Sequence, residues 1–98
     1  MESDIQAKIL RYLEDEGIYA IKVQSANRRG APDIILCLNG NYIGVEVKQP
    51  GKSGTPLQKY QHDKIRASGG EAWTVTSLAE FAGLLTRHPS YGGVYATR

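Results

Sequence analysis

The chain has a single cysteine, Cys37, and only two histidines, His62 and His88. One cysteine cannot form an internal disulfide, so the sequence indicates a reducing, cytoplasmic setting. The two histidines are far apart and have no cysteine or histidine near them at metal-ligand spacing, which argues against a zinc site. The sequence also has no apolar run as long as a transmembrane helix and no signal peptide, so we expect no membrane partner.

Neither sign of charge dominates, because 12 Lys and Arg against 10 Asp and Glu leave a formal net charge of +2. So small an excess does not by itself predict a nucleic acid partner. The acidic residues concentrate in the first predicted helix and in a central hairpin, and basic residues flank that hairpin. A basic rim around an acidic centre suits a polyanion that approaches a metal, although a solvated surface of mixed charge is the alternative. The rim comprises Arg28, Arg29, Lys48, Lys52, Lys59, Lys64 and Arg66.

The stretch from Gly30 to Lys48 predicts two strands joined by a tight turn. Asn39-Gly40 is the preferred pair for a two-residue type I′ hairpin loop, because both positions need positive φ. With that turn, counting back along the strands places Asp33 directly opposite Glu46, with Cβ atoms roughly 4.5–5.5 Å apart. A three-residue loop would instead slip the pairing by one residue.

Two facing carboxylates on a sheet repel each other and lose hydration, and a hard divalent cation relieves both effects. Mg²⁺ is commonly held by one or two carboxylates and several waters. Lys48 points to the same side as Glu46, since side chains alternate along a strand, so the group suits a metal site that binds phosphate. The alternative is an edge hairpin whose charges face solvent. The opposite face is a predicted core surface of Ile34, Leu36, Leu38, Ile43, Val45 and Val47.

Three capping boxes mark the starts of three helices, at Ser3–Gln6, Thr55–Gln58 and Ser77–Glu80. The length predicts one domain, residues 1–98, in the order α-β-β-β-α-β-α, with a mixed sheet flanked by helices on both faces. The remaining predicted bounds are a first helix ending near Glu16, strands over 18–24 and 71–76, a second helix ending near Ser68, and a short terminal strand or arm near 94–96.

Several polar residues outside the hairpin could complete a metal site. Glu2 and Asp4 lie at the start of the first helix, where carboxylates also favour the helix dipole. Gln58 and Gln61 share one face of the second helix and could orient a water or a phosphate. The residues alone leave both choices open. Cys37 lies on the same strand face as Asp33, and we expect it to be a small buried residue rather than a nucleophile.

The set resembles the PD-(D/E)XK nuclease superfamily, on Pro32-Asp33 followed by Glu46-Val47-Lys48. More closely, the chain is similar to small stand-alone VRR-Nuc domains. The residues that carry this resemblance are Glu2 ahead of Ile5, Gly30-Ala31-Pro32-Asp33, the Asn-Gly hairpin, Glu46-Val47-Lys48, and Leu57 with Gln61 leading to Gly69.

This resemblance implies an α/β fold with a restriction-endonuclease-like core and a metal-dependent DNA endonuclease that uses Mg²⁺ or Mn²⁺. By position it implies that Asp33, Glu46 and the carbonyl of Val47 hold the metal. It assigns catalytic roles to Glu2, Asp33, Glu46, Lys48 and Gln61, with Asp4 and Gln58 as the alternatives to Glu2 and Gln61. We expect DNA contacts from Arg28, Arg29, Lys52 and Lys59.

The resemblance also implies a homodimer that cuts branched DNA, as Holliday-junction resolvases do, and a phage or mobile element as a plausible source. Candidate dimer surfaces are the apolar third helix and the tail from Tyr91 to Ala96. The alternatives are a nuclease acting on flaps, ends or other DNA structures, a sequence-specific nuclease, or a non-catalytic DNA-binding module. So short a chain leaves little room for an insertion that reads the major groove, which disfavours sequence specificity.

Overall fold

The computed structural model describes residues 1–92, and the predicted terminal strand near 94–96 lies outside them. The element order is the predicted α-β-β-β-α-β-α. The bounds are α1 (Glu2–Asp15), β1 (Ala20–Lys22), β2 (Ile34–Leu38), β3 (Asn41–Val47), α2 (Pro56–Ala67), β4 (Glu71–Val75) and α3 (Leu78–Thr86). Within residues 1–92, no helix has both the length and the apolar character that crossing a membrane requires.

The strands form one mixed sheet in the order β1-β2-β3-β4. The first three strands pair antiparallel, and β4 joins parallel to β3 after the helical crossover through α2. Asn39 and Gly40 have φ values of 50° and 89°, which is the positive-φ turn that the sequence predicts. Leu38 pairs with Asn41 and Ile34 with Val45, so the predicted register is confirmed along the whole of β2.

One face of the sheet is the hydrophobic core. The alternate β2 and β3 residues that the sequence assigns to this face are all at most 1% exposed. Ile9 and Leu13 of α1 and Phe81 and Leu85 of α3 cover them and are fully buried. The apolar side of α3, a candidate dimer surface in the sequence, therefore contributes its two largest buried side chains to the core.

The helix α2 covers the opposite face of the sheet, and a glycine permits its close approach. A Cβ at Gly44 would lie 2.7 Å from Pro32 Cγ and 3.3 Å from Ile65 Cδ1. Gly44 alternates with the core residues Ile43 and Val45, so Pro32 and Ile65 pack on the face away from the core. Helices therefore flank both faces, as predicted.

Two boundary predictions are wrong. The helix α1 begins at Glu2 with Met1 as its N-cap and has no side-chain cap, so Ser3 does not start it. The Met1 carbonyl accepts hydrogen bonds from the N–H groups of Asp4 and Ile5, which closes the first turn earlier. The first strand is only Ala20–Lys22, because the backbone of Ile18 still bonds to the end of α1.

Two local predictions also need correction. Cys37 is exposed rather than buried, because α2 does not cover that part of the sheet. Ser77 caps α3 by accepting from the N–H of Glu80, but the Glu80 carboxylate accepts from the Thr76 N–H rather than from the cap residue. The capping box of α2 is complete, with Thr55 and Gln58 each accepting from the other's backbone N–H.

Candidate active site

Asp33 lies immediately before β2 and is held by three hydrogen bonds. Its N–H donates to the Val45 carbonyl at 3.0 Å, and its own carbonyl accepts from the Val23 N–H at 2.8 Å. Its Oδ2 accepts from the Val47 N–H at 2.8 Å. The ladder pairs end at Ile34 and Val45, and one more step of that register places Asp33 opposite Glu46, as the sequence predicts. The carboxylate is therefore fixed at the point where two strands begin to separate.

Glu46 faces the same point and is only 2% exposed. Its Oε2 accepts a hydrogen bond of 2.7 Å from Gln58 Nε2, but its Oε1 is buried without a hydrogen-bond partner among residues 1–92. Burial and the charge of Asp33 raise the pKa of Glu46 from 4.5 to about 8, while Lys48 opposes the shift. A buried carboxylate oxygen with no partner is unfavourable unless a cation meets it.

Lys48 and the Val47 carbonyl lie beside this pair. Lys48 is half-buried, shares the β3 face of Glu46 and lowers the pKa of that carboxyl through its charge. Its N–H donates to the Val75 carbonyl, which leaves the backbone of Val47 turned toward Asp33. Within a strand a residue's N–H and C=O point to the same side, so the Val47 carbonyl also points toward Asp33.

Of the two acidic candidates in α1, the structure places Glu2 beside the site and Asp4 away from it. Glu2 Oε2 accepts a hydrogen bond of 3.2 Å from the Gln49 N–H, and the charge of Glu2 adds to the raised pKa of Glu46. The side chain of Asp4 is 73% exposed and pairs with the Met1 amino group at 3.5 Å. Because α1 begins at Glu2, the first turn of this helix carries the carboxylate to the end of β3.

The resemblance implies a role for Gln61, but in the structure it is Gln58 that contacts Glu46. Gln58 accepts from the Thr55 N–H through Oε1 and donates to Glu46 through Nε2, so the capping box aims its amide at the carboxylate. Gln61 is 9% exposed, makes no side-chain hydrogen bond with a described residue and lines a neighbouring cavity. The third position of a capping box at the start of α2 is the sequence signal that points to Gln58.

The four predicted DNA-binding residues lie on exposed loops and helix turns around this site. The loop that carries Arg28 and Arg29 packs against the start of α2 through Gly30, where a Cβ would lie 2.7 Å from the Leu57 carbonyl. Lys59 lies beside Gly54 in the loop before α2. Neither arginine, nor Lys52 or Lys59, forms a salt bridge with any residue in 1–92. All four cations are therefore available to a polyanion.

The site has few groups that could bind a metal. In the part of the chain that the structure describes, no cluster of three or more His, Cys, Asp or Glu side chains is arranged to hold a metal. The site instead offers two carboxylates and one backbone carbonyl. This oxygen set fits a hard cation that keeps several waters, such as Mg²⁺, and the unpartnered Glu46 Oε1 would supply one of its ligands.

Comparisons with known proteins give the family. No family model matches the chain. A curated relative, "Putative nuclease p44" from Acyrthosiphon pisum secondary endosymbiont phage 1, is 35% identical over 77 residues, which is 78% of this chain and 83% of the phage protein.

Two solved structures share the fold. One, described as "VRR_NUC domain", has a TM-score of 0.78 and 27% identity, covering 89% of this chain and 96% of that chain. The other, "VRR_NUC domain protein", has a TM-score of 0.75 and covers 94% of this chain and 90% of that chain, but at 16% identity it supports the fold alone. The matched fold, the phage relative and the arrangement of Asp33, Glu46 and Lys48 agree with one another. The chain therefore belongs to the VRR-Nuc family of nucleases.

Proposed function

We propose that the chain is a metal-dependent DNA endonuclease that hydrolyses phosphodiester bonds in branched DNA as a homodimer. The observation that carries the proposal is Glu46, a carboxylate that is 2% exposed, has one oxygen without a partner in the described part of the chain and faces a second carboxylate. A purely structural role would not favour opposed carboxylates at this position, since like charges directly opposite on a sheet are destabilising.

Asp33, Glu46 and the Val47 carbonyl would hold Mg²⁺ or Mn²⁺. When bound, such an ion polarises a phosphate and lowers the pKa of a coordinated water. The protein's own part is to fix these oxygens: the Val47 N–H holds Asp33, and Gln58 holds Oε2 of Glu46, which leaves Oε1 free to bind. Both carboxylates are thus oriented before any ligand arrives.

The other residues act on the phosphate and on its surroundings. Lys48 lies on the face of Glu46, where its ammonium would stabilise the negative charge that develops on the phosphate oxygens. Glu2 ties the start of α1 to the Gln49 backbone just after β3 and adds a third carboxylate near the site. Arg28, Arg29, Lys52 and Lys59 would contact phosphates on either side of the scissile bond.

A homodimer follows from the substrate rather than from an observed interface. Symmetric cuts in two strands of a junction need two active sites related by a two-fold axis, and one chain provides one site. The candidate surfaces are α3 and the tail from Tyr91 to Ala96, whose residues from 93 onward lie outside those that the structure describes.

The test is a cleavage assay on a labelled four-way junction with Mn²⁺. The variant Asp33→Asn keeps an oxygen that can accept from the Val47 N–H and removes the charge, so it should fold and lose at least about a hundredfold in cutting rate. Asp4→Asn is the matched control, because Asp4 is an exposed carboxylate on the same helix as Glu2.

Paired, symmetric nicks by the wild type and by Asp4→Asn, and none by Asp33→Asn, would support a dimeric junction nuclease. Cutting of flaps or ends in preference to the junction would retain the nuclease and reject the branched substrate. Binding of all these DNAs without cutting any of them would show a DNA-binding module instead.

A further inference from the structure

A cavity of about 510 Å³ adjoins the candidate active site on the α2 side of the sheet. Three of its lining residues lie on the segments that carry site residues. Pro32 precedes Asp33, Gln61 follows Gln58 by about one helical turn, and Tyr42 lies on the β3 face of Glu46. Four residues along a strand span roughly 13 Å, which is the separation along β3 between Tyr42 and Glu46.

Two glycines shape this cavity by letting its walls approach one another. At Gly70 a Cβ would lie 2.9 Å from Ile65 Cγ2 and 3.1 Å from Tyr42 Cδ1. At Gly44 a Cβ would lie 2.7 Å from Pro32 Cγ. Pro32, Ile65 and Tyr42 therefore pack closely against the backbone of the two glycines.

The lining combines flat apolar surfaces with amides and cations. Val23, Pro32, Ile35 and Ile65 supply the apolar surfaces, and Tyr42, which is 42% exposed, supplies an aromatic ring. The polar lining includes the amides of Asn27 and Gln61 and the cations of Arg28 and Lys64. None of the described residues that line it carries a carboxylate.

This combination matches the chemistry of a nucleobase that has left its stack. Unpaired bases bind proteins by stacking on aromatic side chains and by hydrogen bonds from their edges, which amide side chains complete. The two cations would meet the phosphates that flank such a base. The size also lies within the range of about 300–1,000 Å³ that is usual for pockets that bind small ligands.

We propose that this cavity receives the base of an unpaired nucleotide near the scissile phosphate. The proposal rests on the proposed function, and it adds the feature of DNA that the protein selects. Extruding a base from a continuous duplex is unfavourable, and least so for a base that is already unpaired. Branch points, mismatches and single strands should therefore bind better than continuous duplex of the same length.

The test removes one base at a time. Four-way junctions carry a tetrahydrofuran abasic residue at each position within three nucleotides of the branch, and binding is followed by fluorescence anisotropy in EDTA. At one position, removal of the base should weaken wild-type binding about tenfold, the order expected for losing one base–aromatic stack.

Two variants tie that effect to the cavity. Tyr42→Leu should weaken binding of the intact junction about tenfold and have no further effect on the sensitive abasic junction. Asn27→Ala, in an exposed loop where it does not endanger the fold, should remove a smaller part of the same dependence. Tyr19→Leu is the matched control, because Tyr19 is 72% exposed and does not line this cavity.

Equal binding of every abasic junction by the wild type would overturn the proposal, as would equal effects of Tyr42→Leu and Tyr19→Leu. Cleavage is measured separately with Mn²⁺ at saturating DNA, where the wild type and the control Tyr19→Leu should cut at the same rate. Base-dependent binding without any cleavage would support the pocket and reject the nuclease. A protein that binds none of these DNAs would overturn both.

Discussion

The two faces of the β2–β3 hairpin differ in how completely their side chains are satisfied. On the core face the alternate residues from Ile34 to Leu38 and from Ile43 to Val47 are apolar, at most 1% exposed and covered by α1 and α3. On the other face Glu46 is nearly as deeply buried, yet one of its oxygens has no partner among the residues that the structure describes, and the next residue on that face toward the turn is Gly44. The core face stabilises the fold, whereas the opposite face carries a buried acidic group whose charged form is unfavourable.

A charge placed on the core face should have the largest effect. Val45 is fully buried between Gly44 and Glu46, and Val45→Asp would bury a carboxylate with no partner. We expect a loss of more than about 5 kcal/mol, enough to unfold a domain of typical stability. Cys37→Asp places the same charge at an exposed position of the other face and should leave the circular dichroism spectrum and the urea midpoint nearly unchanged. A folded Val45→Asp protein would contradict the assignment of the core.

Neutralising Glu46 should stabilise the protein in the absence of metal. Folded Glu46 keeps its proton up to pH about 8, whereas the unfolded chain releases it near 4.5, so the wild type should lose stability as the pH rises through this window. Glu46→Gln lacks this titration but keeps the shape. Asp33, Glu2 and Lys48 surround the group in both proteins and are unchanged.

The measurement is urea unfolding in EDTA at pH 5 and at pH 8.5. The free energy of unfolding of Glu46→Gln should exceed that of the wild type by an amount that grows with pH, by on the order of a few kcal/mol. If the difference in the free energy of unfolding is the same at the two pH values, the pKa of Glu46 is not raised in the folded protein.

A methyl group at Gly44 should have a moderate effect. The Cβ of Gly44→Ala would lie 2.7 Å from Pro32 Cγ, so the loop before Asp33 must shift, at about 1–3 kcal/mol of stability. Gly54→Ala is the control, because its nearest contact would be an ordinary 3.5 Å to the Gln58 side chain. Urea midpoints compare the two, and equal losses would show that the approach of Pro32 to β3 is not tight.

The smallest effects concern the helix caps. Thr55→Ala removes a hydroxyl that caps α2 and should lower the free energy of unfolding by about 1 kcal/mol. Ser3→Ala should change it by less than about 0.5 kcal/mol, since Met1 and not Ser3 begins α1. Thermal unfolding of both variants measures the difference. A loss of stability in Ser3→Ala larger than that in Thr55→Ala would show that Ser3 caps α1 after all.

The hairpin was predictable because its signals are local and agree with one another. Asn39-Gly40 specifies the turn, the turn specifies the register, and the register places Asp33 opposite Glu46. The roles of Gln58 and Gln61 were not predictable in the same way. Both lie on one face of α2, and although the capping box singles out Gln58, its contact with Glu46 also depends on how that helix packs over the sheet.

The start of α1 and the exposure of Cys37 also depend on tertiary structure. Ser3 and Gln6 form a favourable capping pattern, but a helix that begins at Glu2 brings this carboxylate to the Gln49 backbone. Cys37 alternates correctly along β2, and its burial would require α2 to extend over that end of the sheet. The sequence pattern contains neither fact.

The central claim is that Asp33 and Glu46 form one divalent-metal site. Titration with Mn²⁺, followed by the electron paramagnetic resonance of the free ion, measures it directly in the wild type, Glu46→Gln and Asp4→Asn. The account predicts one site in the wild type and in Asp4→Asn, and an affinity at least about tenfold weaker in Glu46→Gln. Equal Mn²⁺ affinity in the wild type and Glu46→Gln would contradict it.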